Sequence, residues 1–218
     1  MSNNNGQPVF ILKEGSSETK GKEAQKNNIF AATLVAQLVK TSLGPRGMDK
    51  MLVDGLGDVT ITNDGATILK EIDMQHPAGK MMVEVAKTTD NEVGDGTTTS
   101  VVLSGALLEK AQELIDKEVH PTMVIDGYAR AAEQALDILK KIAIKVDKNN
   151  RDVLIKIAST SMMSKLVAEE AKELSRIVVD SLLLVSGSND GETKIDLANI
   201  KIDKKPGASM SETSLLKG

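Results

Sequence analysis

At 218 residues and a net charge of −4, the chain lacks a basic footprint for nucleic acid, and Phe10, Phe30 and Tyr128 are too few aromatics for base stacking. The absence of cysteine excludes disulfides and thiolate metal sites, and with only His76 and His120 a His-rich zinc centre is excluded too. No run approaches the ~18 apolar residues of a membrane span, and the polar start, Met1 to Pro8, lacks the apolar stretch of a signal peptide, so no membrane partner and a cytoplasmic location are expected.

Residues 1–8 read as a tail and Val9–Leu12 as a short edge strand. A helix is expected from about Glu23 to Leu43, with Ile29, Ala32, Leu34, Ala36, Leu38 and Val39 among its buried positions, and Gly44-Pro45 ends it. Lys50–Val53 and Val59–Thr62 read as two strands joined by Asp54-Gly55-Leu56-Gly57-Asp58, a hairpin signal. Asn63-Asp64-Gly65 turns into a short helix over Ala66–Ile72. Pro77 suits the first turn of another helix, reaching about Thr88 with Met81, Met82 and Val85 inward.

After Val93-Gly94-Asp95-Gly96-Thr97-Thr98-Thr99-Ser100, a helix runs to about Val119. Its Val101, Val102, Leu107, Leu108, Ala111, Leu114 and Ile115 recur at helical spacing. Pro121 starts the next, with Met123, Val124, Ala131, Ala135, Leu136 and Leu139 on its apolar side. The charged stretch Lys145–Arg151 reads as a domain crossing. Two helices follow near 151–162 and 166–185, then a loop at Ser186–Gly191 and short strands at Lys194–Leu197 and Asn199–Ile202. The final Leu215-Leu216-Lys217-Gly218 looks like the start of a strand, and truncation is expected. The fold class is mainly α with small β elements.

The stretch with the most chemistry is Gly94–Thr99. First-turn N–H groups of a helix have no internal partners, and the helix dipole favours anions there, so this turn can cradle a phosphate. Flanking glycines admit close approach, and three hydroxyls add donors. Asp95 would repel a phosphate unless a divalent cation lay between them, as Mg²⁺ does when bound by one or two carboxylates plus phosphate oxygens. It reads equally as a plain N-cap. Leu43-Gly44-Pro45-Arg46-Gly47 and Asn63-Asp64-Gly65-Ala66-Thr67 are further Gly-rich turns, each explicable singly as a turn or cap. Neither a Walker A motif nor GxGxxG occurs.

Together, Lys40-Thr-Ser-Leu-Gly-Pro-Arg-Gly-Met-Asp-Lys50, Ile61-Thr-Asn-Asp-Gly-Ala-Thr-Ile-Leu69 and Asp90-Asn-Glu-Val-Gly-Asp-Gly-Thr97 resemble the signatures of the group II chaperonins, the archaeal thermosome and eukaryotic cytosolic chaperonin family. Val9–Gly15, Met51–Asp54 and His76-Pro77 fit as well, while Thr89 departs from a frequent Gln. The look is closest to archaeal members. The resemblance implies one subunit of an ATP-driven double-ring folding machine, with identical or paralogous subunits and unfolded clients as partners and ATP/ADP and Mg²⁺ as cofactors. It implies an equatorial helical bundle over 1–147, part of an α/β intermediate hinge domain over 148–216, and the start of an absent apical domain at 217–218.

In that family pattern Leu43, Gly44 and Pro45 would pack against nucleotide and phosphates, Asp95 would bind Mg²⁺, and Gly96, Thr97, Thr98 and Thr99 would hold phosphate oxygens. Asp64 would be the catalytic residue orienting the attacking water, with Gly65 near the phosphates. Ser164 and Lys165 match a loop that senses the γ-phosphate. The residues leave Lys165 open as a solvated charge and Asp64 as a turn cap. The family's further catalytic aspartate lies beyond this sequence, so weak or absent hydrolysis by this chain is expected. A non-catalytic structural or interaction piece of the ring is the competing function. A small-substrate phosphotransferase is weakest, because nothing supplies a second substrate pocket.

Overall fold

The computed structural model describes residues 18–147, 149–189 and 192–217, backbone alone at 188–189 and 192–194. The Val9–Leu12 strand expectation lies outside the described residues. In chain order come α1 (Gly21–Lys40), β1 (Lys50–Val53), β2 (Val59–Thr62), α2 (Gly65–Glu71), α3 (Pro77–Val93), α4 (Thr97–Asp116) and α5 (Pro121–Ile142). Then follow α6 (Arg151–Met162), α7 (Ala171–Val185), β3 (Ser186–Asn189), β4 (Glu192–Ile195) and 3-10 turns at Leu197–Asn199 and Met210–Glu212. The fold is mainly α, with two antiparallel two-stranded sheets among the described residues. No helix among them is long and apolar enough to cross a membrane.

The core lies where α1 packs on α3 and α4, with α2 across them. It is made by Ala32, Val35, Ala36 and Val39 of α1, Ile68 and Leu69 of α2, Met82, Val83 and Ala86 of α3, and Val101 of α4. Alternating side chains and the Asp54–Asp58 turn bring β1 onto β2, Lys50 opposite Thr62 and Val53 opposite Val59. Asp54 Oδ1 accepts from the N–H groups of Leu56 and Asp58 at 2.9 and 2.8 Å, which fixes that turn. His76 and His120 are helix caps: each Nδ1 accepts a backbone N–H, from Ala78 at 3.2 Å and Thr122 at 3.3 Å, ahead of a proline at the first helical position.

Several boundaries differ from expectation for local reasons. α1 stops at Lys40 because the N–H groups of Ser42 and Leu43 bond back to Val39 and Lys40 in a tighter turn. That turn frees Leu43 and Gly44 from the helix. α3 continues past Thr88 to Val93, where Gly94, at φ 72°, donates its N–H to Asp90 and Thr89 carbonyls as a C-terminal cap. α7 starts at Ala171, since 165–170 form successive turns. Ser186–Gly191, expected as a loop, instead contributes β3, paired with β4. Asn199–Ile202 is not a strand: Asp196 Oδ1 accepts the Ala198 N–H at 3.0 Å and starts a 3-10 turn instead.

Burial is one-sided. Leu34 and Leu38 of α1, Met81 and Val85 of α3, and Leu107 and Leu114 of α4 are exposed, whereas Val35 and Val83 are buried. On α5 only Val124 is buried, and Met123, Ala131, Ala135, Leu136 and Leu139 are exposed. These helices carry apolar stripes wider than the surface that the described residues cover. Contiguous apolar area of this kind promotes association.

Candidate functional site

The α3–α4 corner reverses within three residues. Gly94 and Gly96 both adopt left-handed backbone, at φ 72° and 77°, which costs other residues about 1–2 kcal/mol. Asp95 stands exposed between them. Gly96 is the N-cap of α4 and offers no side-chain cap, so the first-turn N–H groups of Thr97, Thr98 and Thr99 have no protein acceptor among the described residues. Asp95 is therefore not the cap of α4. Its Oδ1 accepts the Gly96 N–H at 2.7 Å, and its Oδ2 accepts the Ser161 hydroxyl at 2.6 Å.

The N-terminus of α2 meets that of α4. A Cβ built on Gly65 would lie 2.5 Å from Thr98 Oγ1 and 3.0 Å from Thr98 Cα, so only glycine permits this approach. Asp64 caps α2: its Oδ2 accepts the Thr67 N–H and the Thr67 hydroxyl, each at 3.0 Å. Its Oδ1 faces Lys165 Nζ at 3.0 Å. Asp64 thus caps α2 through one oxygen and pairs with Lys165 through the other.

The turn after α6 closes the arrangement. Asn63 Nδ2 donates to the Ser164 carbonyl at 2.8 Å, beside the Asp64–Lys165 pair. A cavity of about 60 Å³ is lined by Ser42, Leu43, Gly44, Asn63, Asp95, Gly96, Thr97, Thr98, Thr99, Ser164 and Lys165. Ligand pockets for whole small molecules run to roughly 300–1,000 Å³, so this one is scaled to an anionic group. Asp64 and Gly65 adjoin it through Lys165 and Thr98, while Pro45 is not in its lining. Ser42, Asn63 and Ser161 join the site without having been singled out. Ser42 and Asn63 belong to the Lys40–Lys50 and Ile61–Leu69 stretches, and Ser161 lies four residues before Lys165.

No cluster of three or more His, Cys, Asp or Glu that could hold a metal by itself occurs among the described residues. A lone exposed carboxylate next to uncapped N–H groups fits a Mg²⁺ ion that takes its other ligands from phosphate and water. It does not fit a dedicated protein cage.

Partial burial alone would raise the pKa of Asp64. The Thr67 N–H, the Lys165 hydrogen bond and charge, and the Thr67 hydroxyl outweigh that and lower it. A carboxylate lowered in the fold adds stability above its unfolded pKa of about 3.9, lost as pH falls through the folded value. Acid titration of Asp64→Asn should therefore show a shallower loss of stability below about pH 4 than wild type. Superimposable acid limbs would mean that the pair contributes nothing to the fold.

The TCP-1/cpn60 chaperonin family model matches residues 35–218. The chain is 54% identical over 213 residues to a thermosome subunit of Pyrococcus abyssi, covering 98% of this chain and 39% of that protein. It is 56% identical over 214 residues to thermosome subunit beta of Thermococcus kodakarensis, with the same coverage. With thermosome subunit alpha of Sulfolobus acidocaldarius it shares 50% over 221 residues, 97% of this chain and 40% of the other. The chain spans about two fifths of the length of the curated relatives it matches. A family match over most of the chain, joined to this level of identity with archaeal subunits, means that it belongs to the TCP-1/cpn60 chaperonin family, on the group II branch.

Proposed function

We propose that this chain carries the nucleotide-binding part of an ATP-dependent chaperonin subunit, in which Mg²⁺-ATP binding and hydrolysis drive ring movement and lid closure. The observation that carries the reading is the uncapped first turn of α4 beside Asp95, facing the N-terminus of α2. On this reading the N–H groups of Thr97, Thr98 and Thr99 and their hydroxyls bind phosphate oxygens. Leu43, Gly44 and Pro45 pack along the nucleotide, and Gly65 lets the two helix ends close on the phosphates. Asp95 is the protein ligand to Mg²⁺. Bound Mg²⁺ supplies charge neutralisation for the transferred phosphoryl group. Asp64 accepts a hydrogen bond from the attacking water and orients it, once Lys165 exchanges its carboxylate for a phosphate oxygen, with Ser164 beside it.

We assign residues 1–147 to an equatorial ATP-binding domain, 148–216 to the intermediate hinge and 217–218 to the start of an apical domain. Partners are identical or paralogous subunits in a double ring and unfolded client proteins, in the cytoplasm. A second reading, a structural or interaction piece with little hydrolysis of its own, is favoured by a cavity far smaller than a nucleotide.

Amide hydrogen exchange tests the site without requiring turnover. Mg²⁺ plus ADP should slow exchange at Thr97, Thr98 and Thr99, and ADP without metal should do so less. Protection confined to other regions would refute the phosphate cradle.

A further inference from the structure

An Asp-Gly pair is a chemical weak point: glycine has no Cβ to screen its nitrogen and its backbone turns freely, so the aspartate side chain can close on it. The described residues hold four such pairs, Asp54-Gly55, Asp64-Gly65, Asp95-Gly96 and Asp126-Gly127. Three are held away from that reaction. Asp54 points Oδ1 at the N–H groups of Leu56 and Asp58, beyond Gly55. Asp64 is fixed by Thr67 and Lys165, and Gly65 is buried against Thr98. Asp126-Gly127 lies inside α5, where the helix ladder commits the Gly127 N–H. Asp95-Gly96 differs on each count. Asp95 is exposed and Gly96 is left-handed at φ 77°. Among the described residues, the Gly96 N–H meets only Oδ1 of Asp95 itself, at 2.7 Å, and the carboxyl carbon is one bond beyond that oxygen. The Ser161 hydroxyl on Oδ2, at 2.6 Å, braces this rotamer and does not turn it away from Gly96.

We infer that Asp95-Gly96 is a self-modification site, at which Asp95 converts to isoaspartate through a cyclic imide. The Gly96 nitrogen attacks Cγ of Asp95, so that an N–Cγ bond forms and one Cγ–O bond breaks. That oxygen leaves as water, taking the amide proton and a second proton supplied by solvent. Water then opens the ring. Cleavage of the bond to Cγ restores aspartate, and cleavage of the bond to the main-chain carbonyl carbon routes the chain through Cγ. The isoaspartate product adds one methylene to the main chain between Gly94 and Thr97 and leaves the carboxylate directly on Cα. The functional consequence rests on the reading of Asp95 as the Mg²⁺ ligand: the modified chain loses the metal-dependent part of nucleotide binding. The core of α1–α4, to which Asp95 contributes nothing, stays packed.

Ageing of the full chain below its Tm, followed by peptide mapping with fragmentation that distinguishes isoaspartate, tests the site against the same chain unfolded in urea. Unfolded, the four pairs react at similar rates. Folded, isoaspartate should keep forming at Asp95 and fall away at Asp54, Asp64 and Asp126. Asp95→Asn, which expels ammonia in the same ring closure, should raise the yield at this position. Asp95→Glu, which would have to close a six-membered ring, should abolish it. Isoaspartate formed in the folded chain chiefly at another of the four pairs, or suppressed at Asp95 as strongly as at Asp64 and Asp126, overturns the assignment. Calorimetric titration of ADP, with and without Mg²⁺, into the aged chain reads the consequence separately. Loss of the Mg²⁺-dependent affinity in proportion to isoaspartate content at Asp95 is expected. Full retention of that affinity in a chain carrying the modification leaves the modification standing and refutes Asp95 as the metal ligand.

Discussion

Gly105→Leu is expected to destabilise the chain at or above the upper end of the ~1–3 kcal/mol typical of overpacking, because it pushes α1 and α4 apart. Gly105 is buried on α4, and even a Cβ there would fall inside the van der Waals shell of the Ala36 methyl. The two helices make the largest interface of the bundle, so the leucine cannot be absorbed by rotating one flexible side chain. A penalty of about 3 kcal/mol corresponds to a fall in Tm of roughly 6–12 °C for a chain of this size. Gly127 of α5 provides the control: a Cβ there meets nothing within 4 Å. Gly127→Ala should stabilise by about 0.5–1 kcal/mol through helix propensity alone. Thermal unfolding followed by circular dichroism separates the two, and equal Tm values for wild type and Gly105→Leu would contradict the packing described.

The parts of this structure that were legible in the sequence are those dictated locally. β1 and β2 have the bounds that alternation and the Asp54–Asp58 turn imply, and α6 runs over 151–162 as read. The end of α3 was harder. Thr88 to Val93 is mostly polar, so the apolar period fades there, while Gly94, six residues after Thr88, marks the true stop. β3 was invisible because Ser186-Gly187-Ser188-Asn189 has turn composition and no alternation. Burial failed differently: Leu34 and Leu38 are as apolar as Val35 and Val39, and only the presence of a facing helix decides which are covered.

For the site, the Gly-rich turns marked the loops, and the family resemblance rather than spacing suggested their roles. Asn63 and Ser161 escaped notice because Asn and Ser are common turn and cap residues. Their partners, 101 and 66 residues away, cannot be read from any local pattern. The two readings of Asp95 separated only once Gly96 was found in the cap position.

Asp95→Ala carries the largest expected effect on binding. Among the described residues, Asp95 is the sole carboxylate lining the cavity. Even residues that merely support a metal ligand cost about 10–100-fold in metal affinity when changed, so removing the ligand itself should cost at least that. The fold should survive, because Asp95 is exposed and does not cap α4. The Mg²⁺-dependent part of ADP affinity should disappear and the metal-independent part remain.

Calorimetric titration of ADP, with and without Mg²⁺, into the wild-type chain beside Asp95→Ala is the most direct test of the proposed site. Binding by the wild type that strengthens with Mg²⁺, and a variant whose affinity is the same in both conditions, is the predicted result. Wild-type binding indifferent to Mg²⁺, or a variant that keeps the full metal effect, would contradict a phosphate–metal site at the α3–α4 corner.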